Sequence, residues 1–158
     1  MKRTPWKVYL FWILLTESVG ALSGWITRSG SQSFQNSVNQ PPLSPPAIVF
    51  PIVWSILYAL MGISAGRIYL QPASTARNKG LNLFIAQLIV NFFWSLLFFN
   101  AKAYGLSFLW ILLLWLLVFV MIQTFKQEDK ASAFLQIPYL LWLTFAAYLN
   151  FGVWYLNR

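Results

Sequence analysis

The stretch LSFLWILLLWLLVFVMI, residues 106–122, decides the fold of this chain. It has no strongly polar side chain after Ser107 and is apolar on every face, as expected of a helix that meets lipid. With its flanking residues it reaches the roughly 20 apolar residues that cross a bilayer core. The stretch therefore predicts a transmembrane helix.

The composition extends this prediction to the whole chain. Of the 158 residues, 59% are hydrophobic and 9% are charged, whereas soluble domains carry about 25% charged residues. A lone open strand cannot cross lipid, so the apolar runs are expected to be helices. We predict one all-α integral membrane domain, residues 1–158, folded as a five-transmembrane-helix bundle. Its spans lie near residues 7–27, 46–69, 81–100, 104–125 and 132–156. The first run resembles a signal peptide, but Glu17 interrupts it and favours a retained helix.

The basic residues predict the orientation of the bundle. With five spans, one side holds Lys2, Arg3, Lys7, Arg67, Arg77, Lys79, Lys126 and Lys130, and the other holds Arg28, Lys102 and Arg158. The positive-inside rule then places the N-terminus in the cytoplasm and the C-terminus outside, in a multi-pass protein of the cell membrane. These residues form no dense patch with stacking rings, so we expect a lipid bilayer and no nucleic acid as partner.

The missing residue types exclude much chemistry. The chain has no Cys and no His, so disulfides, thiolate chemistry and the commonest metal ligand and general base are absent. We therefore expect no metal site and no cofactor.

Three of the predicted helices carry a stripe that contains tryptophan. The stripes are Trp54 and Tyr58; Asn91, Trp94 and Phe98; and Trp142, Ala146, Leu149 and Asn150. Interfacial aromatics and Asn between helices also occur as plain packing. Asn91, however, lies ten residues from the start of its span at Leu81, near mid-membrane. Apolar walls with a few polar groups are typical of small-molecule sites, so both a shared cavity and plain packing remain open.

Other features have two interpretations each. The polar segment 28–45 is either a lid or a disordered loop. Glu17 is the one carboxylate within a span and either handles a ligand or proton or is hydrogen-bonded to neighbouring residues. The spacings Gly20–Gly24 and Gly62–Gly66 suit either close packing within the chain or a homodimer face.

Two prolines are expected to disturb their helices. Pro51 would leave the carbonyl of Ala47 without its donor, and Pro138 would do the same for Phe134. Pro45 and Pro46 suit a helix start, where a missing N–H group costs little.

Three segments in register resemble the translocator protein family, the tryptophan-rich sensory proteins. They are PPLSPPAIVFPIVWSILYALMG (41–62), NFFWSLLFF (91–99) and PYLLWLTFAAYLNFGVW (138–154). The resemblance implies a five-helix bundle, frequently dimeric, with a pocket that opens toward the first long loop. Family members bind porphyrins such as protoporphyrin IX, and mitochondrial members also bind cholesterol and benzodiazepine-type drugs. For some bacterial members a light- and oxygen-dependent breakdown of protoporphyrin has been proposed.

The resemblance selects residues on the same stripes. Carried onto this sequence, it implies a pocket lined by Trp54, Asn91, Trp94, Trp142, Ala146 and Leu149, to which spacing adds Tyr58, Phe98 and Asn150. Pro41, Pro42, Pro45 and Pro46 match the loop that caps the pocket, and Pro45 is included among the ligand-binding candidates. Phe34 and Gln40-Pro41 replace the aromatics and Lys-Pro pair of many members, and the sterol segment fits loosely. We therefore do not expect a sterol as the natural ligand.

Three functions follow as hypotheses. The first is a receptor, carrier or sensor for a metal-free tetrapyrrole, bound between indole faces. The second is an enzyme that degrades protoporphyrin IX with light and oxygen, with Trp54 and Trp142 as the catalytic electron donors. The third is a structural or regulatory membrane subunit whose cavity has no ligand.

Overall fold

The computed structural model describes residues 5–158 as an all-helical bundle. Its helices are α1 (Pro5–Ile26), α2 (Arg28–Ser37), α3 (Val49–Tyr69), α4 (Thr75–Ser95), α5 (Tyr104–Glu128), α6 (Lys130–Leu135) and α7 (Ile137–Asn157), with a π-helical turn at Leu96–Asn100 after α4. Five stretches are long and apolar enough to cross a membrane, so the predicted fold is confirmed. Lys2 and Arg3, which the charge count uses, lie outside the described residues.

The segment between the first two spans is not a loop throughout. Residues 28–45 were expected to be irregular, but Arg28–Ser37 forms α2. Phe34 is the one large apolar side chain of this helix, and it is buried against Phe98 and Phe99 of the π-helical turn at 5.1 and 5.5 Å between ring centroids. A single anchored ring in a polar sequence explains why hydrophobic periodicity did not predict the helix.

Both prolines lie in the first turns of helices. The Ala47 carbonyl accepts a hydrogen bond from the Phe50 N–H at 3.3 Å, so the prediction that Pro51 leaves it unpaired was wrong. The fifth span was expected to be continuous over 132–156, but it divides at Gln136 into α6 and α7. Pro138 therefore follows a break in the helix, where its missing N–H costs little.

Close packing of α1 against α3 depends on glycine. A Cβ on Gly62 would lie 2.5 Å from Ile13 Cα, one on Gly66 would lie 2.8 Å from the Tyr9 ring, and Gly20 lies directly against the Tyr58 ring. These three glycines are used within the chain, so their spacing no longer argues for a dimer face. A Cβ on Gly24 would meet nothing within 4 Å.

Polar contacts join the ends of α3, α5 and α6. Arg67 Nε donates to Asp129 Oδ2 at 2.7 Å, and Asp129 also caps α6 by accepting from the Ser132 N–H. Ser64 Oγ donates to the Ser132 carbonyl at 2.8 Å. Hydrogen bonding to the Arg67 guanidinium holds the pKa of the Asp129 carboxyl below its ordinary value. This end of the bundle is tightly joined, and the open space lies at the other end.

Candidate ligand cavity

A cavity of about 640 Å³ lies between α1, α3, α4 and α7, beneath α2. Its volume falls within the roughly 300–1,000 Å³ usual for small-molecule sites. Residues from all five of these helices and from the π-helical turn form the wall, so no single segment of the chain creates the site.

Nine of the ten predicted ligand-binding residues line this cavity. They are Trp54, Tyr58, Asn91, Trp94, Phe98, Trp142, Ala146, Leu149 and Asn150. Pro45 is the exception. Ser44 and Ala47, which flank it in the sequence, line the cavity, but Pro45 does not. The three tryptophan stripes therefore converge on one space, although a role of these residues in binding stays a prediction.

The aromatic rings form two groups on the cavity wall. Trp94 stacks on Phe98 with 4.9 Å between ring centroids and an interplanar angle of 21°. Trp54 lies 5.6 Å from Tyr58 and meets Trp142 edge to face at 6.5 Å and 89°. Faces and edges in this arrangement suit a flat aromatic ligand, which stacks on one ring and contacts the edge of another.

Asn91 belongs to a buried chain of hydrogen bonds that crosses three helices. Tyr58 Oη donates to Asn91 Oδ1 at 2.8 Å, and Asn91 Nδ2 donates to Tyr139 Oη at 2.7 Å. Tyr139 Oη in turn donates to Gln87 Oε1 at 2.7 Å. The cavity and packing interpretations of Asn91 are therefore both satisfied, since its amide lines the cavity and joins α3, α4 and α7.

The sequence analysis did not identify two members of this series of hydrogen bonds. Gln87 and Tyr139 are completely or almost completely buried. Gln87 lies four residues before Asn91, and Tyr139 lies three residues before Trp142. Helical spacing places each on the stripe already identified and could have found both.

Asn150 and Trp94 form a second polar contact in the wall. Trp94 Nε1 donates to Asn150 Oδ1 at 3.0 Å, and Asn150 Nδ2 donates to the Tyr104 carbonyl at 2.9 Å. The Asn amides of both stripes are thus engaged within the protein. The Trp142 Nε1–H differs, because it is buried and has no hydrogen-bond partner among the described residues.

Two charged side chains line the cavity. Glu17 projects from α1, and Arg28 lies at the start of α2. Arg28 is exposed, donates to the Trp25 carbonyl at 2.7 Å and stands over the Trp25 ring at 4.6 Å. Within residues 5–158, no group of His, Cys, Asp or Glu side chains is arranged to hold a metal ion.

The covering segment is fastened to α7. Tyr148 Oη donates to the Pro42 carbonyl at 2.7 Å, and Asn157 exchanges hydrogen bonds with the backbone of Asn39 at 3.1 and 2.8 Å. Gly152 lets Pro41 pack directly on α7, because a Cβ there would lie 2.5 Å from the proline ring. Residues 38–45 and α2 together therefore close one end of the cavity.

A shallow apolar groove runs along the outside of the bundle between α3 and α7. It is lined by Val53, Ile56, Leu57, Leu60, Pro138, Leu141, Trp142 and Phe145. Trp142 also lines the cavity, so one indole lies between the inner space and the outer groove.

Comparison with known proteins gives a consistent result. Residues 12–156 match the TspO/MBR family. The chain is 37% identical over 126 residues to Protein CrtK of Rhodobacter capsulatus, covering 79% of each chain. It is 31% identical over 141 residues to the Tryptophan-rich protein TspO of Chlorobaculum tepidum, covering 89% of each. It is also 30% identical over 156 residues to the Translocator protein of Ovis aries, covering 98% of this chain and 92% of the relative.

Proposed function

The chain belongs to the TspO/MBR family of multi-pass membrane proteins, and from this premise we propose that its cavity binds a flat tetrapyrrole. The ligand class is metal-free porphyrin, such as protoporphyrin IX, and the protein acts as a tetrapyrrole receptor, carrier or sensor. The observation that carries the proposal is that Trp54, Trp94 and Trp142, from three helices, line one cavity of about 640 Å³.

Each part of the cavity wall suits a different part of such a ligand. The macrocycle stacks on indole faces, where aromatic pairs contribute about 0.5–1.5 kcal/mol beyond burial. Acidic side groups of the ligand extend toward Arg28, because a carboxylate pairs well with a guanidinium and is repelled by Glu17. The absence of His favours a porphyrin without iron, held as a ligand and not as a resident cofactor.

Tryptophan fluorescence provides a direct test. Protoporphyrin IX is titrated into the full-length protein in nanodiscs. Quenching of the fluorescence of the protein's nine Trp residues is expected to saturate. Trp54→Leu removes one stacking face and is expected to weaken binding about threefold to tenfold. Trp6→Leu is the matched control, since Trp6 is 60% exposed and does not line the cavity. Equal affinity in the two variants, or quenching that never saturates, would overturn the proposal.

A second candidate function is light-dependent oxidation of the bound porphyrin by dioxygen. The contact between Trp54 and Trp142 favours it, because indole is the most oxidisable side chain in a protein without Cys, and both rings border the ligand space. Porphyrin loss under illumination is compared in wild type, Trp54→Phe and Trp142→Phe, with serum albumin as a non-specific carrier. Loss no faster than with albumin, or unchanged in both variants, would exclude catalysis and leave binding intact.

Three further properties complete the proposal. Benzodiazepine-type drugs are expected to compete with porphyrin, since they are apolar, aromatic and of suitable size. The N-terminus lies in the cytoplasm, as the charge count predicts, and the protein forms a homodimer. Competition titrations, protease accessibility of tagged termini and light scattering of the detergent complex test these three in turn.

A further inference from the structure

Glu17 is an acidic residue that the fold does not use. Glu128 accepts a hydrogen bond from Ser74 Oγ at 2.7 Å, and Asp129 pairs with Arg67. No hydrogen bond or ion pair reaches the Glu17 carboxylate from the described part of the chain, although Glu17 lies within a membrane span and on the cavity wall. Ionisable groups in a membrane are costly and typically mark a functional site.

The neighbouring charge does not neutralise it. Arg28 is the basic side chain on the cavity wall, but it follows Glu17 by eleven residues and lies beyond the end of α1, at the start of α2, and no ion pair joins the two side chains. Its guanidinium is exposed and already bound to the carbonyl and ring of Trp25. The region around Glu17 therefore has an uncompensated acidic group, whereas the region near α2 has a basic one.

Aromatic rings lie next to this carboxylate. Gly20, one turn after Glu17 on the same face of α1, packs against the Tyr58 ring, and Glu17 and Tyr58 both line the cavity. The Trp54 ring stands 5.6 Å from Tyr58. Rings whose faces are electron-rich, together with a carboxylate, form the environment that attracts an organic cation.

We propose that Glu17, Tyr58 and Trp54 form a binding site for an aromatic organic cation, a flat ring that carries a protonated or quaternary nitrogen. The carboxylate is the counter-ion, the Trp54 ring provides the stacking face with the buried Tyr58 ring packed beside it, and protons compete with the cation for the carboxylate. The proposal uses the cavity of the proposed function but does not depend on porphyrin binding. It adds a second ligand class whose charge is opposite to that of the porphyrin side groups.

An isosteric pair of probes isolates the charge. The cation 10-methylacridinium and the neutral hydrocarbon 9-methylanthracene have the same ring shape and differ by a positively charged nitrogen. Both are titrated into the full chain in nanodiscs of uncharged lipid, with tryptophan quenching as the readout. Glu17→Gln is expected to weaken methylacridinium binding about tenfold or more, because it removes the counter-ion on the cavity wall. Methylanthracene is expected to change less than twofold, and protoporphyrin IX, whose carboxylates Glu17 repels, is expected not to bind more weakly.

A matched control keeps the net charge change constant. Glu128→Gln removes one negative charge from the opposite end of the bundle, outside the cavity, and is expected to leave the affinity for all three probes unchanged. Circular dichroism of both variants establishes that they fold alike. An equal loss for the cation and the hydrocarbon in Glu17→Gln would show a change of shape and overturn the proposal, as would no loss for either.

The dependence on pH provides an independent readout. In wild type, methylacridinium affinity is expected to fall as the pH is lowered from 8 to 4 and protons bind Glu17, and in Glu17→Gln it is expected to stay level. The other charged or titratable groups on the described cavity wall are Arg28 of α2 and Tyr58 of α3, whose ordinary pKa values lie well above this range. A level profile in wild type would contradict proton competition.

The two proposals fail in different ways. Porphyrin binding with no measurable methylacridinium binding would overturn the cation site and retain the proposed function. Methylacridinium binding that depends on Glu17, without saturable porphyrin binding, would do the reverse. If neither ligand binds saturably, both proposals are wrong, and the residues of the cavity wall contribute to packing alone.

Discussion

Replacing Tyr139 by Phe should destabilise the bundle more than the loss of any other single tyrosine hydroxyl whose hydrogen bonds are described above. The Tyr139 hydroxyl accepts from Asn91 Nδ2 and donates to Gln87 Oε1, both at 2.7 Å, and its side chain is 1% exposed. The phenyl ring of the variant would fill nearly the same volume, so the change isolates the hydrogen bonds from the packing. Two buried polar groups on α4 would lose a partner at once.

The magnitude follows from those two groups. A buried polar group left without its partner costs about 1–3 kcal/mol, but hydrogen bonds between membrane helices average about 0.6 and reach about 1.7 kcal/mol. Asn91 keeps the bond that its Oδ1 accepts from Tyr58, but its Nδ2 loses Tyr139 as acceptor. The free energy of unfolding should therefore fall by about 1.5–3 kcal/mol.

The control lies on the same helix. Tyr148→Phe also removes one hydroxyl, but Tyr148 is 41% exposed and donates only to the Pro42 carbonyl. Its removal should cost about 0.5 kcal/mol or less. Unfolding is measured by titration with a denaturing detergent and followed by circular dichroism. Losses of equal size in the two variants would refute the view that the buried chain of hydrogen bonds joins the helices.

A rescue experiment sharpens the test. Gln87 Nε2 already has no hydrogen-bond partner, so Gln87→Leu in the Tyr139→Phe background removes two polar groups whose partners are missing. Stability should recover by about 1 kcal/mol, because removing both partners of a buried bond is nearly neutral. A further loss in the double variant would show that Gln87 contributes through packing alone.

Three further predictions concern the rest of the bundle. The hydrogen bond and ion pair with Arg67 hold the Asp129 carboxyl pKa below its ordinary value, so their stabilisation is complete at neutral pH and is lost as pH falls through the lowered pKa. In detergent unfolding, wild type and Asp129→Asn should therefore differ more at pH 7 than at pH 2. Gly62→Ala should separate α1 from α3 and cost about 1–3 kcal/mol of unfolding free energy, whereas Gly24→Ala, which has open space, should cost less than about 0.5 kcal/mol. Phe34→Ala should loosen α2 and accelerate the dissociation of bound protoporphyrin IX, measured by stopped-flow fluorescence. An unchanged dissociation rate would mean that α2 does not restrain the porphyrin.

The sequence predicted the spans and most of the cavity because both depend on local patterns. Bilayer thickness fixes the length of an apolar run, and helical spacing places Trp54, Asn91 and Trp142 on inward stripes before any tertiary contact is known. Pro45 was chosen for its place in a motif, and a motif does not specify which neighbour faces the cavity.

The missed features depend on contacts between distant segments. α2 forms from a polar sequence because Phe34 finds the rings of the π-helical turn 64 and 65 residues further along, at Phe98 and Phe99. Gln136 marks a break in the fifth span that Pro138 suggested only as a kink. Whether two glycines four residues apart pack against a helix of the same chain or of a second copy likewise depends on which helix approaches them.

The double position of Trp142 has a consequence for every mutagenesis experiment at this site. The Trp142 side chain borders both the cavity and the outer groove, so truncating it to Ala is expected to open the cavity toward the lipid-facing groove. A loss of affinity in such a variant would then reflect entry of lipid into the cavity as well as the missing contact between Trp142 and the ligand. Aromatic replacements that keep a ring between the cavity and the groove, such as Trp142→Phe, separate the two effects.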